Sequence, residues 1–408
     1  MNCRYCNNTL HVEFIDLINS PLSNSNLSKE QLNEPEIFYP LKIFVCDKCF
    51  LVQIQEYKKS DELFNEEYAY FSSFSSTWLQ HAKNYVEMVT ERFKLNVNSF
   101  VIEIASNDGY LLQYFTEKKI PCLGIEPSLN TAKVAKEKGI NTLVDYFSVE
   151  LAKSLVKQNK KANLLIGNNV LAHVPKLIDF VKGLKIVLKD EGIITMEFPH
   201  LMQLIELNQF DTIYHEHFSY FSFITVKEIF ESNDLEIFDV EELPTHGGSL
   251  RIYAKHKEDQ IKLISKNVKI LIDKEISKKM RSIEYYKDFQ LKANKIKYEF
   301  LQFLITQKLK KKKIAAYGAA AKGNTLLNYC GIKNDLIDFV VDLSPYKQGK
   351  YLPGSHIPIM SETIIKETKP DFIIILPWNI KNEIMNQLKY IKEWNGKFII
   401  PIPKLEII

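Results

Sequence analysis

The chain has 408 residues, 46% of them hydrophobic and 25% charged, with 53 basic against 50 acidic side chains and a net charge of +3. Near-balance argues against a dedicated nucleic-acid surface, and no apolar run approaches the roughly 20 residues of a membrane span. A prior of about 150 residues per domain predicts two to three domains. The N-terminus lacks the basic-then-apolar layout of a signal peptide, so a cytoplasmic protein is expected.

The first element is a cysteine module, residues 1–60. Cys3-Arg4-Tyr5-Cys6 and Cys46-Asp47-Lys48-Cys49 are two C-x-x-C knuckles, separated by 39 residues. Paired thiolates at that spacing in a reducing compartment suit one tetrahedral, structural zinc ion; the alternative is a redox pair or two disulfides. The insert from Asn19 to Pro40, rich in Asn, Ser and Pro, reads as a loop that leaves the site undisturbed. Cys122 and Cys330 stand alone among mostly apolar residues and read as core.

Residues 61–98 carry the aromatic run Tyr68-Ala69-Tyr70-Phe71 and an amphipathic helix over 75–93. From 99 to 255, strands at 99–104, 122–125, 141–144, 163–166 and 192–197 alternate with helices at 111–118, 131–138, 151–157 and 177–188. That alternation predicts a doubly wound α/β sheet. Residues 256–313 read as a helical connector whose Lys308–Lys313 run is a solvated end. From 314 to 408 the alternation restarts as a smaller α/β unit, with strands at 313–317, 337–341, 371–376 and 397–402.

In open α/β sheets ligands bind beyond the carboxyl ends of the strands. The first such turn carries Glu103, Ala105, Asn107 and Gly109, with glycine allowing close approach of a ligand. The second strand ends in Glu126-Pro127, an acid placed for ribose hydroxyls. The third leads to Asp145 and Phe147, suited to an adenine amino group and ring, and the fourth to Asn168-Asn169. This order fits S-adenosylmethionine better than a dinucleotide, because a full G-x-G-x-x-G is missing; a nucleotide-free α/β fold is the alternative. Tyr214-His215-Glu216-His217 concentrates proton-transfer groups. If extended, His215 and His217 share one side; if turned, all four converge. A positioned imidazole is a natural general base, and satisfied structural histidines or a metal pair are the alternatives. The small-residue turn Gly318–Asn324, with Ala320, Lys322 and Asn324, is a candidate pyrophosphate cradle or simply close strand–helix packing. His246, Ser249 and Arg251 flank a Gly-Gly turn that either contacts phosphate or sugar or only leads into a strand.

Taken together, the cysteine pairs, Glu103–Tyr110, Glu126-Pro127, Asn169–Val174, Tyr214–Tyr220, His246–Arg251 and Tyr317–Asn324 resemble the S-adenosylmethionine-dependent sugar C-methyltransferases. These act on nucleotide-linked keto-deoxysugars, and the resemblance runs nearly the whole chain. It implies a zinc module, a Rossmann-like methyltransferase core and a second Rossmann-like domain, with a small-molecule nucleotide sugar between the last two. It implies His217 as catalytic base, surrounded by Tyr68, His173, Tyr214 and Glu216, with Tyr70 among the sugar contacts. An O- or N-methyltransferase on the same substrates, a zinc-bearing nucleic-acid methyltransferase and a non-enzymatic zinc-and-nucleotide-binding protein are the rival readings. Neither nucleic acid nor membrane is expected as a partner. No oligomeric state is read from the sequence, a monomer being the default.

Overall fold

The computed structural model describes residues 1–59 and 71–408. Its first unit is a small antiparallel sheet. Strand β1 (Val12–Ser20) pairs with β2 (Tyr39–Val45), and β2 with β3 (Val52–Ile54). The period-two pattern of β2 buries Leu41, Ile43 and Val45 on one face. Register slips between Asp16 and Asn19, where Ile18 takes φ 68° and points outward as a bulge. These strands flank the Asn19–Pro40 insert and take in both its ends. The fourth strand of this sheet comes from far along the chain, Ser219–Tyr220, paired antiparallel to β3.

The central sheet follows helix α1 (Ser76–Arg92), which Ser75 caps by accepting from the Trp78 N–H at 3.2 Å. Ala82, Tyr85, Val86 and Val89 make the buried stripe of α1. The succession is β4 (Val101–Ile104), α2 (Leu112–Glu117), β5 (Cys122–Ile125), α3 (Leu129–Glu137), β6 (Thr142–Leu143), α4 (Val149–Lys157), β7 (Ala162–Asn168), α5 (Leu177–Val187) and β8 (Leu188–Pro199). After α6 (Leu201–Glu206) and β9 (Ser219–Tyr220) come α7 (Phe223–Glu231), β10 (Leu235–Leu243) and β11 (Ser249–His256). The strand order is β10-β11-β8-β7-β4-β5-β6. β8, β7, β4, β5 and β6 run parallel, while β10 and β11 add an antiparallel edge. The sheet is therefore mixed where the sequence pattern alone suggested a purely parallel one. β4 is buried at every position because helices cover both faces. The order reverses at β4, between β5 and β7, and opens a crevice at their carboxyl ends.

Within 256–313 the structure has two α-helices, α8 (Lys266–Ser277) and α9 (Phe289–Leu309), joined by a link that holds one 3-10 turn, Ile283–Tyr285. Buried Glu275 of α8 accepts from the N–H groups of Phe223 and Ile224 at 2.6 and 2.8 Å and from His200 at 2.7 Å. It thereby satisfies the first turn of α7 from outside that helix. The last sheet has the order β14-β13-β12-β15-β16-β17. Its strands are β12 (Ile314–Tyr317), β13 (Phe339–Val341), β14 (Ile359–Met360), β15 (Phe372–Ile375), β16 (Lys397–Ile400) and an antiparallel β17 (Glu406–Ile407). Helix α10 (Ala321–Cys330) begins inside the Gly318–Asn324 segment, four residues earlier than the turn reading placed it.

One apolar core runs unbroken from the first sheet through α6 and β9 into the last sheet. The last sheet also meets the central one at Gly247. With φ +89°, a β-carbon there would lie 2.3 Å from the Trp378 ring. Gly247→Ala is therefore expected to destabilise the protein by about 1–3 kcal/mol through overpacking and left-handed strain. Thermal unfolding measures this, and an unchanged midpoint would contradict the contact.

Candidate active site

The two cysteine knuckles fold alike. In each, the N–H four residues after the first cysteine returns to that cysteine's carbonyl: Asn7 to Cys3 at 3.0 Å and Phe50 to Cys46 at 2.9 Å. Asn7 and Phe50 both take positive φ, 59° and 60°. The turns bring all four Sγ atoms within 4.8 Å of one another, with Cys3–Cys49 and Cys6–Cys46 at 3.5 Å. Thiolates about 2.3 Å from one zinc ion would lie about 3.8 Å apart, so the donor set fits tetrahedral zinc with no open position. Gln53 donates to Cys3 Sγ at 3.1 Å, the outer hydrogen bond that steadies a ligand. Between the first two cysteines, Arg4 donates to the Phe218 carbonyl at 3.0 Å and lies over its ring. The zinc knuckle thus grips the residue next to His217.

The cofactor crevice lies at the carboxyl ends of β4, β5 and β7. Glu103 ends β4 fully buried; desolvation pushes its carboxyl well above the ordinary range, against a hydrogen bond from Tyr110. Ala105 and Asn107 both hold positive φ, 55° and 50°, conformations that cluster at ligand loops. Glu126 accepts from the Asn107 N–H at 2.8 Å and the Ser128 N–H at 2.9 Å, locking the first two turns together. A carboxylate has room for further donors beside these two. Both polar side-chain atoms of Asn168 are buried without a hydrogen-bond partner among the described residues, as is Asn169 Oδ1. Unpaired polar atoms at a switch point mark space for a polar ligand, and the acids on β4 and β5 fit an adenosyl methionine. Gly109 takes φ +76° in that loop. A β-carbon there would lie 2.2 Å from Ile140 Cδ1, so glycine also admits close packing of the loop against Ile140. Asp145 is exposed, and the Phe147 ring packs edge-on against Phe180 at 5.4 Å, over Gly183. Ser72 donates its N–H to Asn107 Oδ1 at 2.9 Å, and Ser73 and Lys138 converge on Asp108, pinning the start of α1 over the loop.

Tyr214–His217 is a tight turn, the His217 N–H returning to the Tyr214 carbonyl at 2.9 Å. It brings the Tyr214 hydroxyl onto His217, while His215 and Glu216 bond to Pro40 and Asn24. His217 Nδ1 lies 2.9 Å from the Thr212 carbonyl and must carry the proton to donate there. Nε2 is then the bare nitrogen, and accepts from the Tyr214 hydroxyl at 2.8 Å. His173 stands edge-on to it with ring centroids 4.7 Å apart. Burial, then the neighbouring His173, drives the His217 imidazole well below its ordinary pKa, so it is neutral at physiological pH. Burial holds His173 at about 4. Glu216 accepts from Asn24 Nδ2 at 2.7 Å; burial pushes its carboxyl to about 7 against that bond and Lys347. His215 turns away to the first sheet, bonded to the Pro40 carbonyl at 3.2 Å and edged by Tyr39 and Tyr57. Tyr68 and Tyr70 lie outside the described residues.

The far wall comes from the last sheet. Lys322 donates to Asn379 at 2.7 Å and sits 4.7 Å over the Trp378 ring. Burial lowers its pKa against the opposing pull of Asp211. Trp378 donates to Asp211 at 2.7 Å, and burial raises that carboxyl to about 6. Lys322 in turn helps hold His217 and His246 neutral, so the cation faces the same cleft. His246 pairs with Asn169 at 3.1 Å and joins the cofactor crevice to this wall. Buried Asn324 has an unpaired Nδ2 among the described residues. Two expected contacts are committed elsewhere. Arg251 is 4% exposed, with its guanidinium on Glu197 at 2.7 Å and Glu241 at 3.2 Å. Ser249 is bonded to the Thr245 carbonyl at 3.0 Å. Burial, which opposes the charge on Glu197, is outweighed by His81, Arg251 and Thr245, and the carboxyl falls to about 2. In the Gly318–Asn324 turn, β-carbons at Gly318 and Gly323 would strike Pro377 and Leu376 at 2.5 and 2.8 Å, so both glycines admit packing. Ala320 precedes α10, and its carbonyl accepts from the Asn324 N–H at 3.1 Å.

Sequence reading missed Asn24, Asp211, Lys347 and Trp378. Of these, Trp378 had a signal, since it follows the carboxyl end of a strand in an α/β unit. The others reach the cleft only through tertiary contacts.

Residues 78–240 match a family model described as a methyltransferase domain, 244–403 one described as a C-methyltransferase C-terminal domain, and 3–64 one described as "Putative zinc binding domain". The chain is 32% identical over 406 residues to C-methyltransferase NovU of Streptomyces niveus, covering 100% of this chain and 96% of that protein. Among solved structures, magnesium protoporphyrin IX methyltransferase of Synechocystis with bound S-adenosylmethionine aligns at 13% identity, TM-score 0.33, over 43% of this chain and 78% of its own. A SAM-dependent methyltransferase of Archaeoglobus fulgidus aligns at 18% identity, TM-score 0.34, over 42% and 94%. Crevice, cysteine cluster and family matches define a zinc-bearing, S-adenosylmethionine-dependent methyltransferase. The chain belongs to the C-methyltransferase family of which NovU is a member.

Two outcomes follow for the bound groups. Cys46→Ser should strip the metal and lower the unfolding midpoint, since metal affinity is folding energy; an unchanged metal content or melting curve would refute a structural site. Glu126→Ala should weaken S-adenosylmethionine, measured by calorimetry, about tenfold or more, and more than it weakens the second substrate. The reverse order would contradict the crevice.

Proposed function

We propose that the enzyme methylates a carbon next to the ketone of a nucleotide-linked keto-deoxysugar, with His217 as the base. The observation that carries this reading is the tautomer of His217. Its proton is committed to the Thr212 carbonyl, and its bare Nε2 faces Tyr214 in a cleft between the central and last sheets. A carbon acid beside a carbonyl needs such a neutral base, and needs its enolate oxygen stabilised as charge develops. Tyr214 suits both ends of that transfer. Its hydroxyl covers Nε2 in the free enzyme; a substrate carbonyl oxygen would draw the hydroxyl away, baring the lone pair as it receives the hydrogen bond. His173, beside the ring, is a second donor to that oxygen. The low dielectric that keeps both imidazoles uncharged also strengthens these bonds. When bound, S-adenosylmethionine supplies the electrophilic methyl group that the enolate carbon takes up.

The substrate assignment rests on the far wall. Lys322 places one buried cation opposite the catalytic turn, and Asn324 offers an unpaired amide donor at the start of α10. A diphosphate between the central and last sheets would meet both, leaving the sugar against Tyr214, Glu216 and His217. The segments 1–60, 61–98, 99–255, 256–313 and 314–408 divide the chain accordingly, with the cleft between the third and fifth.

The test is incubation with a panel of keto-deoxysugar nucleotides and methyl-labelled S-adenosylmethionine, followed by NMR location of the label. A label on a ring carbon, with solvent deuterium exchange at that carbon, is expected; a label on oxygen or nitrogen without exchange overturns the proposal. His217→Asn should lower turnover by about 10²–10⁴-fold while calorimetric S-adenosylmethionine binding stays within about twofold. Retained turnover would remove His217 as the base.

A further inference from the structure

The insert between the cysteine pairs reaches the catalytic turn. Asn24 Nδ2 donates to Glu216 Oε1 at 2.7 Å, a contact spanning 192 positions of sequence. Glu216 is 5% exposed, and the bond from Asn24 is the one its carboxylate accepts among the described residues. Asn24 is itself fixed. The Ser25 N–H returns to the Leu22 carbonyl at 3.1 Å and the Asn26 N–H to the Asn24 carbonyl at 3.0 Å. Leu27 and Tyr351 exchange both backbone hydrogen bonds at 2.9 Å, so the insert adds a bridge to the last unit. Farther along, Glu36 accepts from the Gly354 N–H at 2.8 Å and faces His356 Nε2 at 2.9 Å. Gly354 itself, at φ +74°, has room for no side chain between Asn328 and Pro21. The segment is therefore strapped to the last unit at two points C-terminal to Asn24, Leu27 and Glu36.

We propose that Asn24 is a positioning residue for substrate recognition: it turns the Glu216 carboxylate so that one oxygen is held by the protein and the other accepts a hydroxyl of the bound sugar. This rests on the sugar-nucleotide reading above and adds the device that orients the sugar. A carboxylate free to rotate would lose rotamer entropy on every binding event, and the donor from Asn24 removes that cost beforehand. It also favours the ionised, accepting form of Glu216. Buried beside His173 and His217, both kept neutral, Glu216 has Lys347 as its counter-charge and Asn24 as its donor. Loss of Asn24 therefore moves the Glu216 carboxyl upward, and binding that needs the carboxylate falls away at a higher pH.

The experiment compares the full-length protein with Asn24→Ala and with the near-isosteric Asn24→Asp. For each, KM for the nucleotide sugar, Kd for S-adenosylmethionine, zinc content, the unfolding midpoint and the pH profile of kcat/KM are measured. Both variants should raise KM about tenfold or more and shift the acid limb of kcat/KM upward by about one unit. Zinc content, midpoint and S-adenosylmethionine affinity should stay at wild-type values. Unchanged KM and pH profile in both variants overturn the inference, as does a rise in KM that tracks an equal loss of stability and cofactor binding. If the wild-type protein methylates none of the sugar nucleotides, the functional reading fails and takes this inference with it; wild-type turnover with indifferent variants removes Asn24 alone.

Discussion

The backbone from Asp211 to Tyr220 is the point on which the candidate site depends, because its hydrogen bonds are met by the zinc module, the central unit and the last unit alike. The Ile213 carbonyl accepts from Thr325 of the last unit at 2.9 Å. The Phe218 N–H donates to the Ala172 carbonyl of the central unit at 2.7 Å. The Phe218 carbonyl accepts from Arg4 in the zinc knuckle and from the Ile54 N–H of β3 at 3.1 Å. Buried backbone groups are costly to leave unpaired, so this segment has one low-energy path. The path places the carbonyl of Thr212 under His217 Nδ1, and that carbonyl chooses the tautomer. A histidine elsewhere in the core would be equally dry; here the dryness is coupled to a fixed lone pair.

Electrostatics in the cleft follow from how few charges it contains. Glu197 and Arg251 cancel one another below Trp78 and Tyr85, and His81 and Thr245 complete that pair. Asp211 and Lys322 form a looser pair whose charges are both weakened by burial. Neither arrangement places a bare cation on His217, whose neutrality comes first from desolvation. A base made neutral this way is weak in bulk terms, but general-base catalysis responds to position and to the state of the partner acid. In the proposed mechanism the Tyr214 hydroxyl, within 2.8 Å of His217, is that positioned acid.

Much of the fold was legible because its signals are local. The β5 strand fell on residues 122–125 as the apolar run predicted, and α5 ended within a residue of its expected close. Four cysteines in two knuckles pointed to one cluster, since the turn geometry is short-range. The illegible parts are tertiary. Arg251 has chemistry suited to a phosphate, yet a buried glutamate claims its guanidinium. The strands β1 and β2 were hidden in a module read as knuckles and loop, because they bracket the Asn- and Ser-rich insert and pair across it only in the folded sheet. Tyr214–His217 could be read as extended or turned from its residues alone. The turn was chosen by Pro40 and Asn24, which hold His215 and Glu216 in directions that no local periodicity encodes.

The zinc module then has a role that follows from geometry rather than from proximity to chemistry. Arg4 stands between two metal ligands, so its position is set by the turn that the cluster closes. Its guanidinium spans from that turn to the Phe218 carbonyl and rests on the Phe218 ring 5.3 Å away. Its backbone N–H donates to Gln53, whose amide also holds Cys3. Opening the cluster would release Gln53, then Arg4, then the carbonyl one residue beyond His217. A structural zinc ion can in this way steady the turn that carries His217, since it contributes folding free energy to the module that anchors that turn. The same logic explains why β9 joins the first sheet instead of the central one. A turn ending in the edge of a metal-stapled sheet has little freedom to drift, and the base–substrate alignment proposed for His217 would tolerate little drift before its rate advantage is lost.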